Sequence, residues 1–388
     1  QYLSDAAYTC ALAGGQTQAW PLAARGLAHA GEQRDVAWAR LMSFDHERRA
    51  AEHPDHPGIP FETPERVEAA RILRDAHLDP LGPSPMEAVF ESRVEALSSS
   101  NLAVLFYWAG EYTGTLARLE PQAEQALAQG QLARAARCFA FMGICHTAVG
   151  ALEEARRSIE EAQALAGRVG QPNFTVLQAQ EVLTVATDDG LDDLAAILAP
   201  LTTANIPALA WALGFMYAEL ARISARLRQD PTALRYLGLL APWLERAPAW
   251  TGGLPVMASH AAEVLWQLER LDHADVVEYS VREKVVRPDF RTPMVDGRLT
   301  LARLCALQGR YNEARRWFGE ARRVVTQQGS RPLLAIVDYD EALMYARRSE
   351  PGDSEWARPL LDAARAQFET IGMTGWLRRA EELEARLR

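Results

Sequence analysis

Lysine is almost absent from this chain of 388 residues. Arginine supplies all but one of the 41 basic residues, and the single lysine is Lys284. A P-loop that cradles nucleotide phosphates needs a lysine within G-x-x-x-x-G-K-[ST], and no such motif surrounds Lys284. A Schiff-base lysine needs a desolvated pocket, which the charged segment around Lys284 does not predict. Both kinds of lysine chemistry are therefore excluded from the expected function.

Cysteine is also scarce, since the chain holds only Cys10, Cys138, Cys145 and Cys305, with no C-x-x-C pair. Four cysteines are too few for a disulfide scaffold in a chain of this length, so we expect a reducing, cytoplasmic compartment. Cys138 and Cys145 are seven residues apart and share one face of a helix. Because free cysteine is among the most buried residue types, they are expected to be core residues.

Long apolar runs and linkers are missing as well. No apolar run approaches the roughly 18 residues needed to span a bilayer, so no membrane contact is expected. No stretch rich in proline, glycine and serine divides the chain into separate domains. The chain begins at Gln1 without an initiator methionine, which we interpret as a piece of a longer protein.

Motifs for catalysis are incomplete. His46-Glu47 begins the zinc-protease pattern H-E-x-x-H, but Ala50 stands where the second histidine would be. Cys145 and His146 are adjacent, so on a helix they point about 100° apart and make a poor nucleophile and base. His53 and His56 lie in a proline-rich segment that is either a metal-binding loop or, more simply, a solvated polar loop. We therefore expect a protein that is not an enzyme, without cofactor or metal.

Glycine and proline recur at near-equal steps of about 20 residues, enough for one helix and a turn. These residues break helices, and every second one of them ends a unit of about 40 residues. That is the length of a helix pair that stacks on its neighbours. This spacing predicts an all-α superhelix, a solenoid of antiparallel helix pairs. The breakers are Gly110, Gly130, Gly150, Gly170, Gly190, Pro207, Pro231, Pro248, Gly309, Gly329, Gly352 and Gly372.

Two units share a pattern of small and bulky residues. Helices that cross about 8–10 Å apart need alanine or glycine at the crossing and bulky residues beside it. The unit at 298–330 has Ala302, Tyr311, Ala314, Phe318 and Ala321 at these places. The unit at 139–167 has Phe139, Gly143, Gly150, Leu152, Ala155, Ile159 and Ala162. This pattern resembles the tetratricopeptide repeat.

The resemblance implies a repeat array over 96–388, continuous with a less regular part at 1–95. In the first part, three prolines within 52–60 predict a loop, since proline does not fit a helix interior. We expect degenerate helical repeats around that loop.

The repeat pattern also implies a concave groove lined by the first helix of each pair. Aromatic side chains there supply contact area and polar ones orientation, which suits a polar small molecule or a peptide. The alternative is that these positions are ordinary exposed or core positions of amphipathic helices. The groove candidates are Tyr107, Trp108, Arg137, Gln180, Thr184, Asp188, Arg228, Glu263, Trp266, Gln267 and Arg303.

Charge is unevenly distributed. Residues 1–281 carry 21 basic and 35 acidic side chains, −14, and residues 282–388 carry 20 and 16, +4, which together give the net charge of −10. Arg315, Arg316, Arg322 and Arg323 form two pairs seven residues apart and so make a stripe on one helix. This stripe is either a solvated face or a docking surface for an acidic protein partner. The acidic balance argues against direct contact with nucleic acid.

The segment from Ala366 to Ala380, with Phe368, Gly372 and Trp376, resembles the end of the helical-repeat region in large bacterial signalling ATPases. These include LuxR-type transcription regulators related to the maltotriose-responsive activator. The resemblance implies a sensor domain that binds an inducer or a partner and lacks the ATPase and DNA-binding modules. The expected function is thus a non-catalytic sensor or regulatory domain of a bacterial regulator, and the alternative is a pure protein-interaction scaffold.

Overall fold

The structure is a computed structural model that describes residues 3, 6–7, 16–35, 37–38, 41–42, 68, 72, 110, 112–170, 174–203, 213–246, 254–282 and 294–387. Over these residues it contains fifteen helices and no β-strand, which confirms the predicted all-α class. No described helix is long and apolar enough to cross a membrane.

The helices are numbered here in chain order. They are α1 Gln16–Ala30, α2 Tyr112–Ala128, α3 Leu132–Val149, α4 Leu152–Val169, α5 Phe174–Thr187, α6 Leu191–Leu201, α7 Leu213–Arg226, α8 Asp230–Arg246, α9 Leu254–Leu268, α10 Ala274–Ser280, α11 Gly297–Leu307, α12 Tyr311–Gln327, α13 Arg331–Arg348, α14 Asp353–Ile371 and α15 Thr374–Arg386.

Successive helices pack as antiparallel pairs in a superhelix, as the breaker spacing predicts. The odd-numbered helices from α3 to α15 form the inner layer. In it α3 packs on α5, α7 on α9, α9 on α11, α11 on α13 and α13 on α15, while α5 meets α7 through side-chain ion pairs. The even-numbered helices from α4 to α14 form the outer layer. Glycines end several helices: Gly150 follows α3 with φ 83° and closes the turn through its N–H to the carbonyls of His146 and Thr147. A left-handed residue of this kind is most easily glycine.

Gly143 lies where α3 and α4 cross. A Cβ atom built on it would stand 2.6 Å from Cγ1 of Ile159 in α4. Only glycine therefore lets the two helices approach this closely, which confirms the predicted reason for a glycine inside a helix. Cys138 and Cys145 of α3 are fully buried, as expected.

The superhelix closes on itself, a feature that the repeat spacing does not predict. Helix α13 packs on α3, and α15 packs on α5. At the first contact Gly150 lies within 3.4 Å of Ile371 and Pro332, measured from an ideal Cβ. At the second, Gly375 abuts the backbone at Thr187 and Asp188 so closely that no side chain fits between them. The inner layer is consequently enclosed by the protein itself.

In the first 95 residues the structure describes α1 and a few residues near it. Trp38 is buried there against Leu27, Ala30, Met42 and Ile72. The predicted boundary at 95/96 and the proline-rich loop lie outside the described residues. So do Tyr107, Trp108, His53, His56 and Lys284, and the predictions for them stay predictions.

Candidate functional site

The inner layer contains a network of charged side chains that joins six helices. We call it the inner charge network. Its members are Glu181, Asp188, Glu219, Arg222, Arg226, His260, Glu263, Arg303, Asp340 and Arg379. Five of the predicted groove residues either belong to it or contact it directly: Asp188, Glu263, Trp266, Gln267 and Arg303.

Arg226, the last residue of α7, joins α5 to α9. Its Nη1 atom donates to Oδ1 of Asp188 and to the carbonyl of Val185, each at 2.9 Å. Its Nε atom donates to Oε1 of Glu263 at 2.8 Å, and Nη2 lies 2.6 Å from the same oxygen. The arginine is 6% exposed. A planar guanidinium with donors on several sides suits this bridging position.

The second half of the network lies between α9, α11 and α13. Arg303 donates from Nε to Oδ2 of Asp340 at 2.8 Å, and its Nη1 lies 3.6 Å from Oε2 of Glu263. Nε1 of Trp266 donates to the other carboxylate oxygen of Asp340 at 2.9 Å. The guanidinium of Arg347 lies over the Trp266 ring, 4.3 Å from its centroid. These contacts bind three helices around one fully buried aspartate.

Helix α15 packs over the network and contacts residues of α5 and α9. Arg379 donates from Nε to Oδ2 of Asp188 at 2.8 Å and from Nη1 to Oε1 of Gln267 at 3.1 Å. Trp376 is fully buried and donates from Nε1 to the carbonyl of Val185 at 3.1 Å. The guanidinium of Arg226 lies 4.9 Å from the centroid of the Trp376 ring. The chain's own last helix therefore occupies the place where a groove ligand would bind.

The network sets the ionisation of its members. Burial disfavours the charged form of Glu263, but Arg226, Arg303 and Arg222 outweigh burial and lower its pKa. Burial likewise opposes the charge of Arg226, yet Glu263 and Asp188 raise its pKa. Burial raises the pKa of Asp340 in spite of Arg303. The ionisation of each buried member therefore depends on the partner with which it is paired.

At the edge of the network, two carboxylates face one arginine. Arg222 pairs with Glu219, and its Nη2 lies 3.6 Å from Oε1 of Glu181. Nδ1 of His260 is 3.2 Å from Oε2 of Glu219. Two carboxylates and one imidazole would suit a divalent cation, but Arg222 already supplies positive charge at this place. We therefore assign no metal to this group.

Three of the predicted groove residues are buried by contacts within the protein. Glu263, Trp266 and Arg303 are only 5%, 1% and 4% exposed. Glu263 is held by Arg226 of α7 and Arg303 of α11. Helix α13 supplies Asp340 to both Trp266 and Arg303. The ligand-binding role of these residues stays a prediction, but any ligand would have to displace protein contacts to reach them.

The remaining groove candidates are more accessible. Gln180 and Thr184 are half-buried on α5, and Arg137 is half-buried on α3, with its guanidinium 5.8 Å from the Phe141 ring centroid. Arg228 is exposed after α7 and pairs with Glu382 of α15 at 3.1 Å. The structure therefore does not bring Arg137 and Arg228 to the inner charge network.

The arginine stripe lies on α12, in the outer layer. Arg315, Arg316 and Arg323 are exposed, whereas Arg322 is half-buried and pairs with Asp338 and Glu341 of α13, at 2.7 Å each. Arg322 therefore holds two helices together. The guanidinium of Arg315 lies 5.6 Å from the ring centroid of Trp356, whose 60% exposure is unusual for a tryptophan.

Of the arginines that organise the network, the sequence pattern indicated Arg303 but not Arg222, Arg226 or Arg379. The spacing of Glu219, Arg222 and Arg226 at i, i+3 and i+7 places all three on one face of α7, and this pattern was a usable signal. Arg379 and Asp340 gave no comparable signal, because their partners are distant in sequence.

The described cysteines do not offer a nucleophile. Burial raises the pKa of Cys145 to about 12 and that of Cys305 to about 11, with smaller opposing effects of nearby charges at Cys305. A thiol with a raised pKa is mostly protonated at neutral pH and therefore a poor nucleophile.

Neither a family model nor a curated protein sequence matches this chain. The fold and the inner charge network therefore carry the functional argument.

Proposed function

We propose that this chain is the non-catalytic helical-repeat sensor of a bacterial transcriptional or signalling regulator, acting in the cytoplasm. In this proposal an inducer or a peptide binds on the inner face and competes with α15. The observation that carries it is the pairing of Asp188 and Gln267 with Arg379 of α15. A ligand with a positive or hydrogen-bonding group could replace Arg379 and release the last helix.

Two features support this proposal over an inert core. Replacing a buried ion network by apolar residues is often neutral or stabilising, so a network of this kind is weak evidence for stability alone. Arg379 also holds two predicted groove residues by polar contacts that a ligand can imitate. Closure by α15 then provides two states, one with the last helix docked and one with it released, which a sensor needs.

The test is a thermal-shift screen of the chain with a panel of sugars, nucleotides, amino acids and short peptides. We expect at least one compound to raise the melting temperature of the wild type. Gln267→Ala should lose that increase, because Gln267 faces Arg379 at the proposed site. Gln327→Ala is the matched control, since Gln327 is exposed on α12, and it should keep the increase.

Two results would contradict the sensor proposal. One is that no compound class changes the melting temperature. The other is that a compound stabilises the wild type and Gln267→Ala equally, which would place its binding site elsewhere.

A second candidate function is a protein-interaction scaffold without a small-molecule site. The exposed Trp356 beside Arg315 favours it, because tryptophan and arginine are enriched at the centres of protein interfaces. The exposed arginines Arg316 and Arg323 add positive charge for an acidic partner. If this function is right, Trp356→Ala should abolish capture of a partner that Gln267→Ala still captures, and partner binding should weaken with added salt.

A further inference from the structure

Inside the superhelix, one carboxylate oxygen of Glu181 lies within 4.8 Å of one of Glu219. Glu219 and His260 are 1% and 3% exposed, and the Glu181 side chain is 16% exposed. Oε1 of Glu219 has no hydrogen-bond partner. A buried carboxylate oxygen without a donor costs free energy, so something must satisfy it.

The local charges do not balance when both carboxylates are ionised. Among the described residues, Arg222 is the arginine that contacts this pair, through the same Nη2 atom toward both side chains. The other arginines of the network are engaged elsewhere: Arg226 by Asp188 and Glu263, and Arg303 by Asp340 and Glu263. Two negative charges thus share one positive partner in the interior.

We propose that Glu181 and Glu219 hold one shared proton, and that this buried proton-binding site couples the side-chain contacts between α5 and α7 to pH. With the proton in place, the hydroxyl of one carboxyl group donates to Oε1 of the other, which satisfies the atom that otherwise has no donor. Without the proton, two anions repel each other at the contact between α5 and α7. The closed superhelix is then weakened at its inner layer.

The ionisation of the neighbours fits this assignment. Burial raises the pKa of Glu181 well above the ordinary range, and the negative charge of Glu219 raises it further, while Arg222 lowers it less. For His260, burial and then Arg222 lower the pKa well below the ordinary value. The proton therefore belongs to the carboxyl pair, and the imidazole stays neutral.

Charged groups of several helices surround the pair. Helix α7 contributes Glu219, Arg222 and Arg226, and α9 contributes His260 and Glu263. Arg303 of α11 acts on His260 from a greater distance. On α5 itself, Asp188 binds Arg226 and also Arg379 of α15. Over the described residues, Glu219 and Arg222 act most strongly on Glu181 among these charges.

The direction of the pH effect follows from the raised pKa of Glu181. A group whose pKa is higher in the folded than in the unfolded state stabilises the fold below its unfolded pKa, about 4.3 for glutamate. That stabilisation is lost as the pH rises through the folded pKa. The melting temperature of the wild type should therefore fall as the pH becomes alkaline, because the pair loses its proton.

The experiment compares the wild type, Glu181→Gln and Glu263→Gln by thermal unfolding from mildly acidic to alkaline pH. The amide of Glu181→Gln donates to Glu219 as the shared proton would. It should keep or raise the melting temperature at neutral pH and remove the alkaline decrease. Glu263→Gln is the matched control: it replaces a buried carboxylate held between two arginines, so it should lower the melting temperature at neutral pH.

Infrared spectroscopy provides a second measurement on the unaltered chain. The wild type at neutral pH should show the carbonyl stretch of a protonated carboxyl group, which disappears at alkaline pH and is missing from Glu181→Gln. If Glu181→Gln does not fold, the wild-type band is compared with that of Asp340→Asn, because burial raises the pKa of Asp340 as well. A band that persists in Asp340→Asn is assigned to the pair, and a band that is lost there overturns the proposal. Absence of this band, or a Glu181→Gln variant that is destabilised at neutral pH and keeps the alkaline decrease, would overturn the proposal.

Discussion

Helices α3 and α7 both lie in the inner layer, yet they are buried in different ways. The interior of α3 is mostly apolar, with Cys138, Ile144 and Cys145 fully buried, and its buried polar residues are Arg134 and Thr147. The interior of α7 includes Glu219, Arg222 and Arg226. In one superhelix, the interior of one inner helix is therefore stabilised by the burial of apolar side chains, and that of another includes buried ion pairs. The α7 region should accordingly be sensitive to changes of charge and pH, and the α3 region to changes of side-chain volume.

The largest difference should follow removal of one charge from the α7 region. Arg226→Ala leaves Asp188 and Glu263 buried without their shared partner, and such a loss costs about 3–5 kcal/mol. Chemical denaturation of the variant measures it. Arg228→Ala is the control, because Arg228 is two residues away but 80% exposed in its pair with Glu382, and it should cost under about 1 kcal/mol. Equal effects would mean that the buried pairing does not matter.

Acid should also act on the α7 region. Because the pKa of Glu263 is lowered in the folded state, its stabilisation is present above the unfolded pKa and is lost as the pH falls toward the folded pKa. Below about pH 4.3, protonation of this residue alone should lower the free energy of unfolding by about 1.4 kcal/mol for each pH unit. Glu263→Gln should reduce the acid slope of the wild type by that amount, and an unchanged slope would refute the assignment.

In the α3 region, the sensitive quantity is volume. Gly143→Ala would press a methyl group against Ile159 and should cost about 1–3 kcal/mol through overpacking. Gly167→Ala is the matched control, since Gly167 is also helical and no atom lies within 4 Å of a Cβ built there. It should stabilise by up to about 1 kcal/mol. Urea unfolding of both variants decides, and a loss at both sites would argue against close contact as the cause.

The smallest effect should come from the outer layer. Glu154 and Arg157 on α4 form an exposed pair at 3.1 Å, and exposed helix pairs contribute only about 0.3–0.5 kcal/mol. Glu154→Gln should therefore change the unfolding midpoint barely, and less at high salt. A change as large as that of Arg226→Ala would mean that surface pairs, and not the inner network, hold the superhelix.

The local features of the fold were predictable because they depend on neighbouring residues. Gly150 and Gly372 end their helices in the left-handed conformation at the predicted spacing. Gly143 marks a helix crossing for the reason given by its position in the repeat. These features follow from the limited choice of residues that fit a positive φ or a close contact.

The closure of the superhelix was not predictable by the same reasoning. It results from small rotations summed over many repeats, and it brings Arg379 to Asp188 across 191 residues. Trp266 shows the consequence, because its burial depends on Asp340 and Arg347 of α13, 74 and 81 residues away. The candidate site was therefore predictable in part, and its partners were not.

Hydrogen exchange on Arg379→Ala tests the central claim, that α15 closes the inner face by binding α5. The account predicts faster amide exchange in both 374–386 and 184–190, with unchanged protection in 132–169. Arg365→Ala is the control, since it removes an exposed pair between α14 and α15 and should leave 184–190 protected. Faster exchange confined to α15 in the Arg379 variant, or spread evenly over the whole chain, would contradict the account.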